Sequence, residues 1–120
     1  MGFRINSLYI CVKDMERAVG FYEALLDRKV AEYDEIYSVF EINGFRLGLF
    51  ANGKVNEKHV YGDNCLPSFE TDSVEKLQGK VASMNCPVVF PLTRIKNNWV
   101  LEIADSEGNH IELTAPVKDF

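Results

Sequence analysis

The amino-acid sequence repeats one pattern of predicted elements, and this repeat constrains the fold more than any single element does. In each half a strand is followed by an amphipathic helix and then by three strands. The predicted strands are residues 5–12, 29–33, 36–42 and 45–50 in the first half and 66–71, 88–92, 98–104 and 110–114 in the second. A chain built from two such βαβββ modules is predicted to be an α+β protein with eight strands and two main helices.

Local signals locate the helices and turns of this pattern. Asp14 is a predicted N-cap, and the helix behind it carries an apolar stripe and should end near Asp27 or Arg28. In the second half Asp72 and Glu75 are spaced as a capping box. The pair Asn43-Gly44 predicts a type I′ hairpin turn, because both positions of that turn need a positive φ.

The repeat also predicts how the chain is organised. We expect one domain over residues 1–120, with modules at about 5–51 and 64–115 and a polar linker at 52–63. In each module one face of the sheet is covered by its helix and the other is bare. If the two bare faces curve around a shared cleft, the result is a curved mixed sheet around a concave site, which is typical of ligand binding.

Composition narrows the classes of partner. The 120 residues carry a formal net charge of −5, which argues against nucleic acid as a partner and suits a neutral or cationic ligand. Three cysteines, odd in number and widely spaced, favour a reducing compartment over a disulfide framework. Apolar runs are too short for a membrane span, so we expect a cytoplasmic protein without membrane contact.

Two segments resemble the vicinal-oxygen-chelate superfamily, which comprises glyoxalases, bleomycin-resistance proteins and extradiol dioxygenases. Val12-Lys13-Asp14-Met15-Glu16-Arg17, followed by Phe21-Tyr22, is similar to the strand-to-helix entry of that family. Asp105-Ser106-Glu107-Gly108-Asn109-His110-Ile111-Glu112-Leu113 is similar to its closing hairpin, with Ser106 in place of the usual proline. The resemblance covers nearly the whole chain, and it implies the two-module fold and a homodimer.

The resemblance also implies four metal-ligand positions, on the first and last strands of each module. Counting from the motifs places them at Ser7, Gly48, Leu66 (or Cys65 if the register differs by one) and Glu112. Only Glu112 is a donor of the kind that divalent metals prefer. We therefore expect no metal and no other cofactor, and we identify no catalytic residue.

Strand alternation assigns the side chains that would line the cleft. The predicted ligand-binding residues are Ser7, Tyr9, Arg46, Gly48, Phe50, Leu66, Glu70, His110 and Glu112. Aromatic faces with a few charged groups suit a small planar or cationic ligand. The same side chains could instead serve packing, with Glu112 satisfied by Arg46, and Trp99 could belong to either the core or the pocket.

Three functions follow from these observations. The favoured one is a metal-free protein that sequesters or carries a neutral or cationic small molecule. One alternative is a metal-dependent lyase, isomerase or dioxygenase, and the other is a non-catalytic interaction domain with a vestigial cleft. Fold resemblance alone cannot decide among them.

Overall fold

The computed structural model describes Gly2, residues 4–63 and residues 65–118. Internal contacts divide the chain into two compact units, Met1–Tyr61 and Gly62–Phe120. Each unit holds one helix packed on one small mixed sheet, so the predicted α+β class is confirmed. No helix in the described residues is long and apolar enough to cross a membrane.

Unit 1 consists of β1 (Ser7–Cys11), α1 (Met15–Leu26), β2 (Tyr37–Ile42), β3 (Phe45–Phe50) and a 3₁₀ helix (Asn52–Val55). Its sheet has the order β1-β3-β2, with β1 parallel and β2 antiparallel to β3. The parallel pairing follows from α1, which returns the chain so that the hairpin formed by β2 and β3 can lie beside β1.

Capping and turn residues set the bounds of these elements. The Asp14 side chain accepts a hydrogen bond from the backbone N–H of Arg17 at 3.0 Å, and α1 ends at Asp27 in the left-handed conformation. Asn43 and Gly44 have φ values of 49° and 82°, as the predicted type I′ turn requires. The buried core beneath α1 includes Val12, Tyr22, Phe40, Leu47 and Leu49.

Unit 2 consists of β4 (Ser68–Glu70), α2 (Val74–Ser83), β5 (Val88–Ile95), β6 (Asn98–Ala104) and β7 (His110–Pro116). The sheet order is β4-β7-β6-β5, again with one parallel pair, β4 and β7. Leu101, Ile103, Ile111 and Leu113 are buried and share one face of this sheet. α2 buries Leu77 and Val81.

The turn between β6 and β7 is built around a buried carboxylate. Asp105 Oδ1 accepts hydrogen bonds from the backbone N–H groups of Glu107 and Asn109 at 2.8 and 2.9 Å. Gly108 has a φ of 89°, a conformation that favours glycine. The motif that suggested the family is therefore a hydrogen-bonded turn that fixes where β7 begins.

Three local predictions are wrong. Residues 29–33 form only an isolated bridge between Glu32 and Val39, because Asp34 Oδ2 accepts the backbone N–H groups of Ile36 and Tyr37 and turns the chain there. The described residues therefore hold seven strands instead of eight.

The other two errors lie around the start of unit 2. The N-cap of α2 is Ser73, whose side chain accepts the N–H of Lys76, and it is not Asp72. The strand predicted at 66–71 is shorter, since β4 begins at Ser68 and leaves Leu66 outside it. Part of the predicted linker is ordered as the 3₁₀ helix, where the buried Asn52 accepts a hydrogen bond from the Tyr61 hydroxyl.

Candidate functional site

The register of the two parallel strand pairs shows which candidate positions are neighbours. In unit 1 Tyr9 lies opposite Gly48, and in unit 2 Ser68 lies opposite Glu112. Gly48 and Glu112 each lie four residues beyond a positive-φ turn glycine, so these two pairs are equivalent in the repeat. Ser7 lies opposite Arg46, two residues before Tyr9, so Ser7 and Tyr9 lie on the same face of β1.

Unit 2 shows the same relation. Ser68 lies opposite Glu112, and Leu66 and Cys65 precede β4. The positions implied by the resemblance stay the predicted ones, Ser7, Gly48, Leu66 (or Cys65) and Glu112. Tyr9 and Ser68 are the ladder partners of the last-strand positions Gly48 and Glu112.

Unit 1 contributes aromatic rings at this position. Tyr9 packs edge-on against Phe50 with ring centroids 5.5 Å apart, and against Tyr37 at 5.9 Å. His59 approaches Phe50 at 6.2 Å. Tyr9 is 52% exposed, so one ring of this cluster is open to a ligand. We call Tyr9, Tyr37, Phe50 and His59 the aromatic cluster.

The close approach of Tyr37 explains why residue 48 is a glycine. A Cβ atom at this position would overlap the ring and hydroxyl of Tyr37, which lie directly over the glycine. Burial raises the pKa of the Tyr37 phenol, so the hydroxyl stays protonated near neutral pH. Position 48 therefore contributes no side chain, and its space is occupied by a neutral phenol.

Arg46 has partners within unit 1. Its Nη1 donates to Glu41 Oε1 at 2.6 Å and its Nη2 to Glu32 Oε2 at 2.8 Å. Glu41 lies directly across the β2–β3 ladder from Arg46. Arg46 is thus engaged by two carboxylates of its own unit.

Unit 2 contributes a hydrogen-bonded carboxylate at the equivalent position. Glu112 Oε1 accepts a hydrogen bond from the Ser68 hydroxyl at 2.6 Å. Glu102 lies directly opposite Glu112 on β6, so two carboxylates stand side by side on the sheet face that α2 does not cover. Like charges in this position destabilise a sheet unless a cation or hydrogen-bond donors compensate.

His110 lies two residues before Glu112 on the same face of β7. Its buried Nδ1 is 3.3 Å from Glu102 Oε1 and 3.7 Å from Asp63 Oδ2, and it lacks a well-formed hydrogen bond. The predicted face is thus correct for His110 and Glu112. Glu70 is exposed in β4, and Leu66 is half-buried before it.

The surroundings of Cys11 and Cys86 disfavour these two thiols as nucleophiles. Burial, and then the charge of Glu57, raise the pKa of the Cys11 thiol above its usual value, and burial does the same for Cys86. A raised pKa leaves the thiol protonated and weakly nucleophilic.

The donor set does not fit a divalent metal. The predicted positions Ser7, Gly48, Leu66 and Glu112 offer one hydroxyl and a single carboxylate, and this carboxylate already accepts a hydrogen bond from Ser68. Zinc and other divalent ions are bound by several imidazole, carboxylate or thiolate groups that converge on one point. In the described part of either unit, no three His, Cys, Asp or Glu side chains form such a group.

These features define a class: an α+β protein of two βαβββ-like units that presents an aromatic face in one unit and a carboxylate face in the other. The pattern of the Glyoxalase/Bleomycin resistance protein/Dioxygenase superfamily matches residues 4–113. The chain belongs to this superfamily, as the two sequence motifs suggested. The curated proteins include none that matches this sequence.

Solved structures support the fold. A lactoylglutathione lyase from Agrobacterium tumefaciens is 17% identical, with a TM-score of 0.73 over 93% of this chain and 92% of that chain. A glyoxalase-related enzyme from Fulvimarina pelagi is 13% identical, with a TM-score of 0.76 over 94% and 88%. A virulence protein from Salmonella typhimurium is 18% identical, with a TM-score of 0.73 over 98% and 99%. At such identities the likeness concerns the fold.

Sequence reasoning missed two residues of the site. Tyr37 could have been found, since a glycine inside a strand often marks the close approach of another group. Glu102 could have been found by counting back from the Asp105–Asn109 turn, which pairs it with Glu112. Trp99 shares a face with the buried Leu101 and Ile103, so the more apolar of its two predicted orientations is correct.

Proposed function

We propose that the protein binds a neutral or cationic small molecule without using a metal ion. The observation that carries this proposal is the occupation of the four predicted metal-ligand positions by Ser7, Gly48, Leu66 and Glu112, with the Tyr37 ring filling the space at Gly48. Aromatic rings attract cations and planar groups, and a carboxylate adds attraction for positive charge.

The proposed contributions differ between the units. Tyr9 and Phe50 supply ring surface in unit 1, and Tyr9 is the more accessible of the two. Glu112 supplies the charge in unit 2, and Ser68 orients its carboxylate. His110 and Glu70 lie on strands beside Glu112 and would adjust the local charge.

Metal content is the first test. The purified protein, dialysed against zinc, nickel, manganese or iron and analysed by plasma mass spectrometry, should retain well below one equivalent of each. Stoichiometric metal that is lost in Glu112→Gln would overturn the proposal and favour a metal-dependent lyase, isomerase or dioxygenase.

Ligand binding is the second test. A thermal-shift screen of neutral and cationic metabolites and antibiotics should reveal ligands that raise the melting temperature, since binding to the folded state alone stabilises it. Glu112→Gln should weaken a cationic hit by about 1.5–3 kcal/mol, the range for a hydrogen bond to a charged group. Glu35→Gln, which removes an exposed carboxylate outside the site, is the matched control. Unchanged affinity with reduced stability would favour the interaction domain with a vestigial cleft.

A cytoplasmic homodimer is part of the same proposal. In the described residues, Cys11, Cys65 and Cys86 form no disulfide, and proteins of reducing compartments rarely contain disulfides. The edge strand β5 exposes apolar side chains, with Val88 53% and Phe90 40% accessible, and exposed apolar patches often mark association surfaces. Sedimentation at micromolar concentration should give a dimer mass, and a strictly monomeric mass would contradict this part.

A further inference from the structure

The chain contains two Asn-Gly pairs, and the structure places them in opposite surroundings. Asn43-Gly44 forms the tip of the hairpin between β2 and β3, and Asn52-Gly53 begins the 3₁₀ helix. Asn-Gly pairs are prone to spontaneous deamidation, because glycine has no Cβ to hinder the approach of its backbone nitrogen to the preceding side-chain amide. The two pairs therefore show how the fold acts on one reaction within one molecule.

Deamidation replaces the side-chain amide by an acid. Hydroxide removes the proton from the backbone nitrogen of the glycine, and this nitrogen forms a bond to Cγ of the asparagine. The bond between Cγ and Nδ2 breaks, and ammonia leaves with a proton from water, which restores the hydroxide. Water then opens the resulting five-membered imide at either carbonyl group, giving aspartate or isoaspartate. Isoaspartate carries one extra carbon in the main chain, and no oxidant or reductant takes part.

The hairpin leaves Asn43 and Gly44 open to this reaction. Both residues are exposed, and their φ values of 49° and 82° define the two-residue turn between the paired residues Ile42 and Phe45. Among the described backbone groups, the Gly44 N–H donates to no carbonyl, so the attacking nitrogen is not held by a backbone hydrogen bond. A hairpin tip rearranges without disturbing buried contacts, so local opening there costs little free energy.

The 3₁₀ helix holds Asn52 in place. Asn52 is only 4% exposed, and both ends of its amide are hydrogen-bonded. Its Nδ2 donates to the backbone carbonyl of Glu57 at 2.8 Å, and its Oδ1 accepts from the Tyr61 hydroxyl at 3.0 Å. Rotation of this amide toward the nitrogen of Gly53 must break both hydrogen bonds, and a buried polar group left unpaired is costly. Deamidation at Asn52 therefore requires this segment to open first.

We propose that Asn43 is a site of age-dependent deamidation and that the fold protects Asn52. A two-residue turn fixes the register of the strands that it joins, and β3 carries Gly48 and Phe50. Isoaspartate at position 43 lengthens the main chain of this turn and so weakens the pairing of β2 with β3. The proposal concerns the chemistry of the hairpin and does not depend on the proposed ligand.

Peptide mapping by mass spectrometry follows both sites at once in the full-length chain. Cleavage after Arg46 and Lys54 places the two pairs in different tryptic peptides, and the acid and the amide differ in mass. After incubation of the folded protein at mildly alkaline pH, Asn43 should react at least about tenfold faster than Asn52, which corresponds to about 1.4 kcal/mol of opening free energy. Equal rates, or no reaction at Asn43, would overturn the proposal.

The unfolded chain is the matched control. In concentrated guanidinium chloride the two pairs should react at similar rates, because each is then an accessible Asn-Gly pair that follows an apolar residue, Ile42 or Ala51. If Asn43 kept the same advantage over Asn52 in the unfolded chain, the neighbouring residues would explain the difference and the proposal would be overturned.

Tyr61→Phe tests the protection of Asn52. The change removes one hydrogen bond of the amide and keeps the ring over which Lys13 Nζ lies, 4.8 Å from the centroid. The reaction at Asn52 should accelerate about two- to tenfold, as expected for the loss of one hydrogen bond, while the rate at Asn43 stays the same. An unchanged rate at Asn52 would overturn the role assigned to the Tyr61 hydroxyl.

The consequence for the hairpin is measured on the isoaspartate form, separated from the parent protein by ion exchange. Freshly purified Asn43→Asp is the control, because it has the added negative charge without the added carbon. The isoaspartate form should melt at a lower temperature than Asn43→Asp. Equal melting temperatures would overturn the weakening of the β2–β3 pairing.

Discussion

The two units share a backbone plan and differ in what they place on it. Both pair a first strand in parallel with the last strand of a hairpin, and both begin the helix with a capped residue. At equivalent positions unit 1 has Gly48 beside Tyr9 and unit 2 has Glu112 beside Ser68. The comparison teaches that strand register is preserved by packing on the helix-covered face, while the other face is free to change its chemistry.

The helix-covered faces are not equally filled. α1 buries five residues, Met15, Ala18, Val19, Tyr22 and Leu25, whereas α2 buries only Leu77 and Val81. Buried apolar area is the main source of stability in a small domain. The stability of unit 1 is therefore expected to depend more strongly on packing against its helix than the stability of unit 2 does.

The largest effect should come from a matched pair of core truncations. Leu49 and Leu113 each follow a turn glycine by five residues and are almost fully buried. Leu→Ala at either position should cost about 2–5 kcal/mol in the free energy of unfolding. The larger loss is expected at Leu49, because α1 contributes more buried side chains to its unit than α2 does. Urea denaturation measures both, and a larger loss in Leu113→Ala would reverse the comparison.

A second experiment tests the contact between Gly48 and the Tyr37 ring, which distinguishes unit 1 from unit 2. Gly48→Ala should lower the free energy of unfolding by about 1–3 kcal/mol, because the new Cβ overlaps the Tyr37 ring. In a Tyr37→Leu background the same change should cost much less, which a double-mutant cycle detects as coupling. Gly20→Ala in α1 meets no atom and is the control, with an expected gain of up to about 1 kcal/mol. Additive losses at positions 37 and 48 would show that the overlap relaxes by another route.

The helix caps offer a finer comparison. Asp14→Ala and Ser73→Ala should each cost about 0.5–2 kcal/mol in thermal or urea unfolding. Asp14 should cost more, because its negative charge also interacts with the helix dipole and its bond of 3.0 Å is shorter than the 3.2 Å bond of Ser73. Asp72→Ala should have little effect on the free energy of unfolding. A larger loss in Asp72→Ala than in Ser73→Ala would support the capping box that the sequence predicted.

The smallest predicted effect concerns the stability of the protein at acidic pH. Hydrogen bonds from the backbone N–H groups of Ile36 and Tyr37 lower the pKa of Asp34 below 3.8. A lowered pKa contributes stability that is fully present above the ordinary value and is lost as pH falls through the folded-state pKa. Asp34→Asn should therefore show a shallower loss of unfolding free energy than the parent protein between about pH 5 and pH 2, measured by urea denaturation. Parallel pH profiles would contradict this assignment.

Much of the fold was predictable from local patterns. The stripe of α1 and the Asn43-Gly44 turn depend on neighbours in sequence, and both are as predicted. The strand predicted at 29–33 is absent because side chains bind backbone N–H groups there. Glu23 accepts the N–H of Val30, and Asp34 accepts those of Ile36 and Tyr37 just beyond the segment. Such a competition between local hydrogen bonds and a sheet ladder depends on tertiary context.

The candidate site was less predictable, for a related reason. The face of Glu112 and His110 followed from alternation and is correct. The ladder partners of Tyr9 and Ser68 depend on parallel pairing between strands far apart in sequence, which local motifs do not reveal. The role of Tyr37 depends on a ring that crosses to a neighbouring strand, which alternation alone does not reveal.

The ring of Tyr37 over Gly48 also limits how this protein could change its chemistry. A carboxylate at position 48 would add a donor that the predicted metal-ligand set lacks, yet its first carbon would overlap the ring of Tyr37. Replacing Tyr37 first opens the space, so the order of the two substitutions matters. The effects of the two substitutions are epistatic. Gly48→Glu is disfavoured while Tyr37 is present and is tolerated once residue 37 is small. Directed evolution of a metal enzyme from this protein should therefore randomise the two positions together.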